Sequence, residues 1–157
     1  MGFRIFIHGL DSSNRGTKSV FFRDKYPDME IPCFTGPLDE RMKGLRSALS
    51  GRTGIMLVGS SFGGLMATLF AMENEERVDR MVLLAPAIHL LERDHPGSKT
   101  LAIPVRVYHG RQDQVIPLNE VQRAAETLFH RLSFHEVEDD HNLHKTFKSL
   151  DWDRLLT

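Results

Sequence analysis

Short β-rich apolar runs alternate with stretches of helical spacing along this chain, and that alternation constrains the fold more than any other feature. The runs cover residues 3–7, 30–34, 55–58, 80–84, 105–108 and 133–137. Between them, Leu38, Met42, Leu45 and Leu49 step by four, three and four, which lines one face of a helix. Phe62, Leu65, Met66 and Leu69 make a second such face, Val121, Ala124, Ala125 and Leu128 a third, and Leu143, Phe147 and Leu150 a last one. Strands joined by crossover helices lie parallel with right-handed connections, so the pattern predicts an α/β fold: a mostly parallel sheet of about six strands between helical layers, a three-layer α/β/α sandwich. In such sheets ligands bind beyond the carboxyl ends of the strands, so functional residues are expected just after strands. The polar segment 92–99, with Pro96 and Gly97, reads as a surface loop beside that edge.

Composition narrows the function. With 157 residues, 41% of them hydrophobic, the chain suits one core, and a single domain over 1–157 is expected. Lys and Arg number 20 against 21 Asp and Glu, so the basic surplus that grips phosphates is missing and no nucleic-acid partner is expected. Cys33 is the lone cysteine, which precludes an intrachain disulfide and a thiolate zinc cluster and fits a reducing compartment. The longest apolar run, 81–88, contains Pro86 and is far short of the roughly 20 residues of a membrane span. The start, Met1-Gly2-Phe3-Arg4-Ile5-Phe6-Ile7-His8, lacks a basic lead and a long apolar stretch, and Phe6 stands where a myristoylation signal needs Ser or Thr. A cytoplasmic protein without a membrane partner is the expectation.

The chemistry concentrates at Gly59-Ser60-Ser61-Phe62-Gly63-Gly64, a Gly-x-Ser-x-Gly pattern between a buried run and an amphipathic helix. A sharp strand-to-helix turn would expose the Ser61 hydroxyl, and glycines on either side would let strand and helix approach. The plainer alternatives are a turn in which Ser61 caps the helix, or a phosphate-binding turn. No Gly-Lys-Ser/Thr follows and the Gly-x-Gly-x-x-Gly spacing is absent, so nucleotide cofactors are not indicated, and no cofactor is expected.

A serine hydroxyl needs a base, and the base usually needs a carboxylate to orient it. His141 follows the last predicted strand in Glu138-Asp139-Asp140-His141-Asn142, a placement that favours it over His135 within the strand and over His144 at the start of the last helix. Asp113 lies in the loop after the preceding strand, in His109-Gly110-Arg111-Gln112-Asp113. It could instead be a plain turn residue, and Asp139 and Asp140 a solvated flank of His141. The stretch from Asp139 to His144 could also offer oxygen and nitrogen ligands to a metal, but no second cluster completes such a site, and no metal is expected. For an oxyanion, the N–H groups of Phe62, next after Ser61, and of Leu10, in the loop after the first strand, are the candidate donors. His8-Gly9 could also be an ordinary turn. Leu10, Phe62, Ile88, His89, Leu90 and Val115 are the candidate pocket walls.

Through His8-Gly9-Leu10, Gly59-Ser60-Ser61-Phe62-Gly63-Gly64, His109-Gly110-x-x-Asp113-x-x-Ile116-Pro117 and Asp140-His141, nearly the whole chain resembles the α/β-hydrolase superfamily, and most of all its short, lidless bacterial serine esterases. The resemblance implies a compact hydrolase fold without a cap, a Ser61-His141-Asp113 triad, and cofactor-free hydrolysis of small acyl esters in the manner of a carboxylesterase. An acyl thioesterase, or a non-catalytic binding protein for a small ligand or partner, remains open as an alternative. Only residues 85–103 separate the strands between which larger members carry a cap, so the resemblance implies an open, shallow site.

Overall fold

In the computed structural model, which describes residues 2–94 and 100–157, the alternation becomes a single ladder of strands. The strands are β1 (Phe3–Ile7), β2 (Ile55–Ser60), β3 (Val78–Leu84), β4 (Leu101–Gly110) and β5 (Phe129–Val137). The helices are α1 (Thr17–Lys25), α2 (Leu38–Ala48), α3 (Phe62–Glu73), α4 (His89–Asp94), α5 (Leu118–Leu128), α6 (His144–Ser149) and α7 (Trp152–Leu155). The sheet order is β1-β2-β3-β4-β5, with every pair parallel.

The expected strand over 30–34 is reduced to one bridge, Ile5↔Glu30, on the outer edge of β1. Glu30 N–H donates to Arg4 O and Glu30 O accepts from Phe6 N–H. The next ladder donor two residues on would be Pro32, which has no N–H, so the pairing stops there. From β1 the chain thus runs outward to Glu30 and then returns through α2 to β2 on the other side of β1. That reversal opens a crevice at the carboxyl ends of β1 and β2, where ligands of such sheets bind.

Both faces of the sheet are covered. Ile5, Ile7, Ile55, Leu57, Leu83 and Val107 pack under α2, α3, α4 and α5. Phe6, Met56, Val58, Val82 and Leu84 pack against Phe22 of α1, Phe147 of α6 and Trp152 of α7. The Phe22 ring meets Trp152 edge-on at 4.7 Å, and Trp152 Nε1–H donates to Phe147 O at 2.6 Å. Burial on both sides is why β2 reads as an unbroken apolar run rather than an alternating one.

Several boundaries differ from the sequence reading: β2, β3 and β5 are longer than their expected runs, and three further differences have a local cause. Helix α1, where none is expected, buries only Ser19 and Phe22, too few to leave a periodic stripe. β4 starts four residues before Val105 and tolerates Pro104, which lies before the pairing with β3 begins at Val105 and at a register shift in the pairing with β5. Of the loop expected over 92–99, residues 92–94 end α4 and 95–99 lie outside the described residues. Among the described residues no helix is long and apolar enough to cross a membrane.

Candidate active site

Ser61 sits between the last residue of β2 and the first of α3, with φ 54° and ψ −116°. A side chain at positive φ is strained by about 1–3 kcal/mol, and the surrounding bonds hold it there. Ser61 N–H donates to Leu84 O, and Ser61 O accepts from Gly64 N–H and Ala87 N–H, each at 2.9 Å. Gly63 makes the tight crossing possible, since a Cβ there would run into the carbonyl groups of Ile7 and His8. The turn therefore presses α3 onto the end of β1 and leaves the Ser61 hydroxyl at the crevice.

The three side chains singled out in the sequence meet there. Ser61 Oγ lies 3.1 Å from His141 Nε2, and His141 Nδ1 lies 2.8 Å from Asp113 Oδ2. The other carboxylate oxygen, Oδ1, accepts from Val115 N–H and Ile116 N–H at 2.8 Å each. Asp113 is thus the centre of its own turn as well as a partner of His141, and its side chain is fully buried. With a carboxylate at Nδ1, the imidazole carries its proton on that nitrogen and presents a lone pair to the hydroxyl, the arrangement a general base needs.

The loop carrying His141 is fastened from several sides. Asp139 Oδ2 accepts from Thr146 N–H at 2.9 Å and Oγ1–H at 2.8 Å, its Oδ1 accepts from Asp140 N–H, and its carbonyl accepts from Gln112 N–H. Burial raises the Asp139 carboxyl pKa, but these hydrogen bonds outweigh it and leave the group below its ordinary value. Gly110 packs so closely on the Asp139 carbonyl that a Cβ would collide with it. Asp139 is therefore the anchor of the loop rather than a solvated flank. Lys18 Nζ of α1 adds a bond to Asn142 O at 2.5 Å, and burial pulls its pKa down to about 8.

The remaining histidines take other places. His135 stacks on Tyr108 at 4.6 Å and pairs with Ser133 Oγ, so it is a strand residue away from Ser61. His144 lies on the cleft wall and meets the Phe147 ring edge-on. His8 closes the turn after β1: Nδ1–H donates to Gly9 O and Nε2 accepts from Phe34 N–H, both at 2.8 Å. It thereby supplies an acceptor to the edge segment whose ladder Pro32 interrupts. No three His, Cys, Asp or Glu side chains are grouped as metal ligands among the described residues.

The cleft, about 520 Å³, is lined by the apolar Leu10, Phe62, Ala87, Val115 and Ile116 and by the polar Asp11, Thr17, Lys18, Asn142 and His144. Leu10 is 52% and Val115 68% exposed, so the apolar wall stands open to solvent. Ile88 is a correction: it is fully buried in the core under α4 and α5, while the next residue, His89, lines the cleft in its place. The apolar run 81–88 gives no sign of which residue turns inward, since all of it is buried. Leu90 packs against the same core. The N–H groups of Leu10 and Phe62 make no hydrogen bond within the described chain, which leaves both able to donate into the cleft.

Two buried imidazoles couple this region to acid. Burial lowers the pKa of His8 and of His109 below the ordinary value of 6.5. The unfolded chain therefore binds protons that the folded chain refuses, so stability is full above about pH 6.5 and falls as the pH drops below it. The denaturation midpoint is expected to decrease steadily from pH 7 to pH 5; a midpoint that rises over that interval would contradict the neutral state of both rings.

A family profile described as the α/β-hydrolase fold matches residues 34–100. Among solved structures, a protein described as a YdeN-like hydrolase from Pectobacterium atrosepticum superposes with a TM-score of 0.77 at 21% identity, covering 98% of this chain and 88% of that one. Mouse alpha/beta hydrolase domain-containing protein 10 gives 0.77 at 17% identity, covering 94% and 86%. Est1E from Butyrivibrio proteoclasticus with bound ferulic acid gives 0.76 at 14% identity, covering 94% and 84%. No curated protein matches by sequence.

Proposed function

Because this chain has the α/β-hydrolase fold, we propose that it is a serine hydrolase that cleaves small acyl esters through a Ser61-His141-Asp113 triad. The observation that carries the reading is the unbroken line from Ser61 Oγ to His141 Nε2, and from His141 Nδ1 to Asp113 Oδ2. His141 takes the hydroxyl proton as Ser61 Oγ attacks the ester carbonyl, and Asp113 stabilises the imidazolium that forms. The tetrahedral oxygen accepts from the Leu10 and Phe62 N–H groups, an interaction worth several kcal/mol when the donors are already in place. His141 then protonates the departing alcohol, leaving an acyl-Ser61 ester. Water enters, His141 removes its proton, and collapse of the second tetrahedral intermediate returns the hydroxyl and releases the acid.

The apolar wall at Leu10, Phe62 and Val115, exposed to solvent at Leu10 and Val115, suits a short acyl group. The ferulic acid held by Est1E is consistent with a carboxylic acid as product. The fold alone does not choose the substrate, for it also occurs in a meta-cleavage product hydrolase of Pseudomonas fluorescens. An acyl thioesterase uses the same atoms, and comparison of acyl-CoA with oxygen esters separates the two. Mixing the protein with p-nitrophenyl acetate should give a burst of p-nitrophenol approaching one per chain, followed by slower turnover. No release above the buffer rate from folded protein would remove the hydrolytic reading and favour a binding role.

A further inference from the structure

His109, at the end of β4, has a side chain that is wholly buried, and its Nε2 lies 2.9 Å from Ile116 O and 3.2 Å from Asp113 Oδ2. Both neighbours can only accept, so Nε2 must carry the proton; it donates to Ile116 O and lies beside Asp113 Oδ2. Among the described residues the buried Nδ1 has no hydrogen-bond partner, consistent with a neutral ring whose second nitrogen is unprotonated. Burial keeps it so, by lowering the pKa against the opposing pull of Asp113. The sequence reading places His109 just after a strand, at the head of the motif that runs to Pro117, and assigns it no role of its own.

We propose that His109 is a positioning residue for the triad: its ring, tied by Nε2–H to Ile116 O, sets that N–H beside the Asp113 Oδ2 that accepts from His141 Nδ1–H, and so fixes the orientation of the carboxylate and, through it, of the His141 ring. The inference rests on the Ser61-His141-Asp113 reading. Three N–H groups bond the carboxylate, from Val115 and Ile116 on Oδ1 and from His141 on Oδ2, and the His109 Nε2–H lies against Oδ2 at 3.2 Å. Such a carboxylate cannot rotate without breaking several bonds at once. The donor from His109 also draws charge away from Oδ2. Without that N–H beside Oδ2 the carboxylate charge would fall on the His141 Nδ1–H bond alone, which is why the acid limb of the rate profile is the readout.

The charged and titratable groups facing this line are Asp113, His141 and His89 around His109, and Lys18, Asp139 and Asp140 around the His141 loop. Of these, His141 alone hydrogen-bonds Asp113 Oδ2 among the described residues, and the His109 Nε2 is the other nitrogen against that oxygen.

The test compares His109→Gln, which keeps an N–H donor, with His109→Met, which fills similar space without one. In His109→Met the acid limb of kcat/KM for p-nitrophenyl acetate should move up by roughly 0.5 unit or more, with kcat reduced more than KM is raised. The proton resonance of the His141 Nδ1–H bond should move as well. His109→Gln should restore both towards the wild type. A role confined to tying down Ile116 O would lower stability and leave the acid limb and the resonance in place, and that result would overturn the proposal. The resonance needs no turnover: if the wild type proves inactive, the hydrolase reading fails, while the His109 contact is still decided by whether the resonance responds to His109→Met.

Discussion

Ser61→Ala is expected to lower kcat/KM for a short p-nitrophenyl ester by about 10⁴-fold or more while the protein stays folded. The nucleophile is lost, and only the cleft and its two N–H donors remain to polarise the ester. The fold should tolerate the change, because the turn is held by the backbone bonds of Ser61 with Leu84, Gly64 and Ala87 and not by the hydroxyl. A companion variant separates chemistry from strain. Ser61→Gly also removes the nucleophile, yet glycine adopts φ 54° without steric penalty, so it should be more stable than Ser61→Ala by about 1 kcal/mol. Denaturant midpoints on the two inactive variants check this. Equal midpoints would mean that the elbow stores no strain, and retained turnover in either variant would mean that another group attacks the ester.

Asp113→Asn is expected to cost roughly 10³ to 10⁴ in kcat, although it replaces one oxygen by nitrogen. The two backbone N–H groups of Val115 and Ile116 point at Oδ1 and require an acceptor there. The amide oxygen must therefore take that position and turn its NH₂ towards His141 and His109. An amide donor at Nδ1 forces the His141 proton onto Nε2, the nitrogen that faces Ser61 Oγ. The imidazole then cannot accept the hydroxyl proton. The same NH₂ opposes the His109 N–H, so stability should fall too. Rate measurements over the full pH range check the claim, since a tautomer fault is not repaired by raising the pH to where a mere pKa shift would be.

Much of this site is legible in the sequence because its residues are tied to strand ends. Ser61 is marked by glycines that a sharp strand-to-helix turn requires, and Gly63 is seen to be squeezed against β1. Asp113 and His141 follow successive strands, so a parallel sheet delivers them to the edge that holds Ser61. The strands themselves announce their burial through runs such as 55–58. Other features leave no such mark. Helix α1 buries a single large apolar side chain, Phe22, which gives no period to detect. Residues 30–34 have the composition of a strand, but Pro32 removes the donor that would extend the ladder beyond Glu30. Ile88 and His89 are neighbours in an apolar stretch, and only the path of the chain after β3 decides which one faces the cleft. Asp139 resembles a solvated acid until its bonds to Thr146 are seen. His109 is silent for a similar reason, because its partner oxygen belongs to a residue four positions on and is brought back only by the turn around Asp113.

The central claim is that the Ser61 hydroxyl, alone among the serines of this chain, is made nucleophilic by its imidazole neighbour. Treating the folded protein with a fluorophosphonate and mapping the adduct by mass spectrometry tests that claim directly. One adduct on Ser61, abolished in His141→Ala, is the predicted result; a folded protein that takes up no label, or takes it up at another residue, would contradict it.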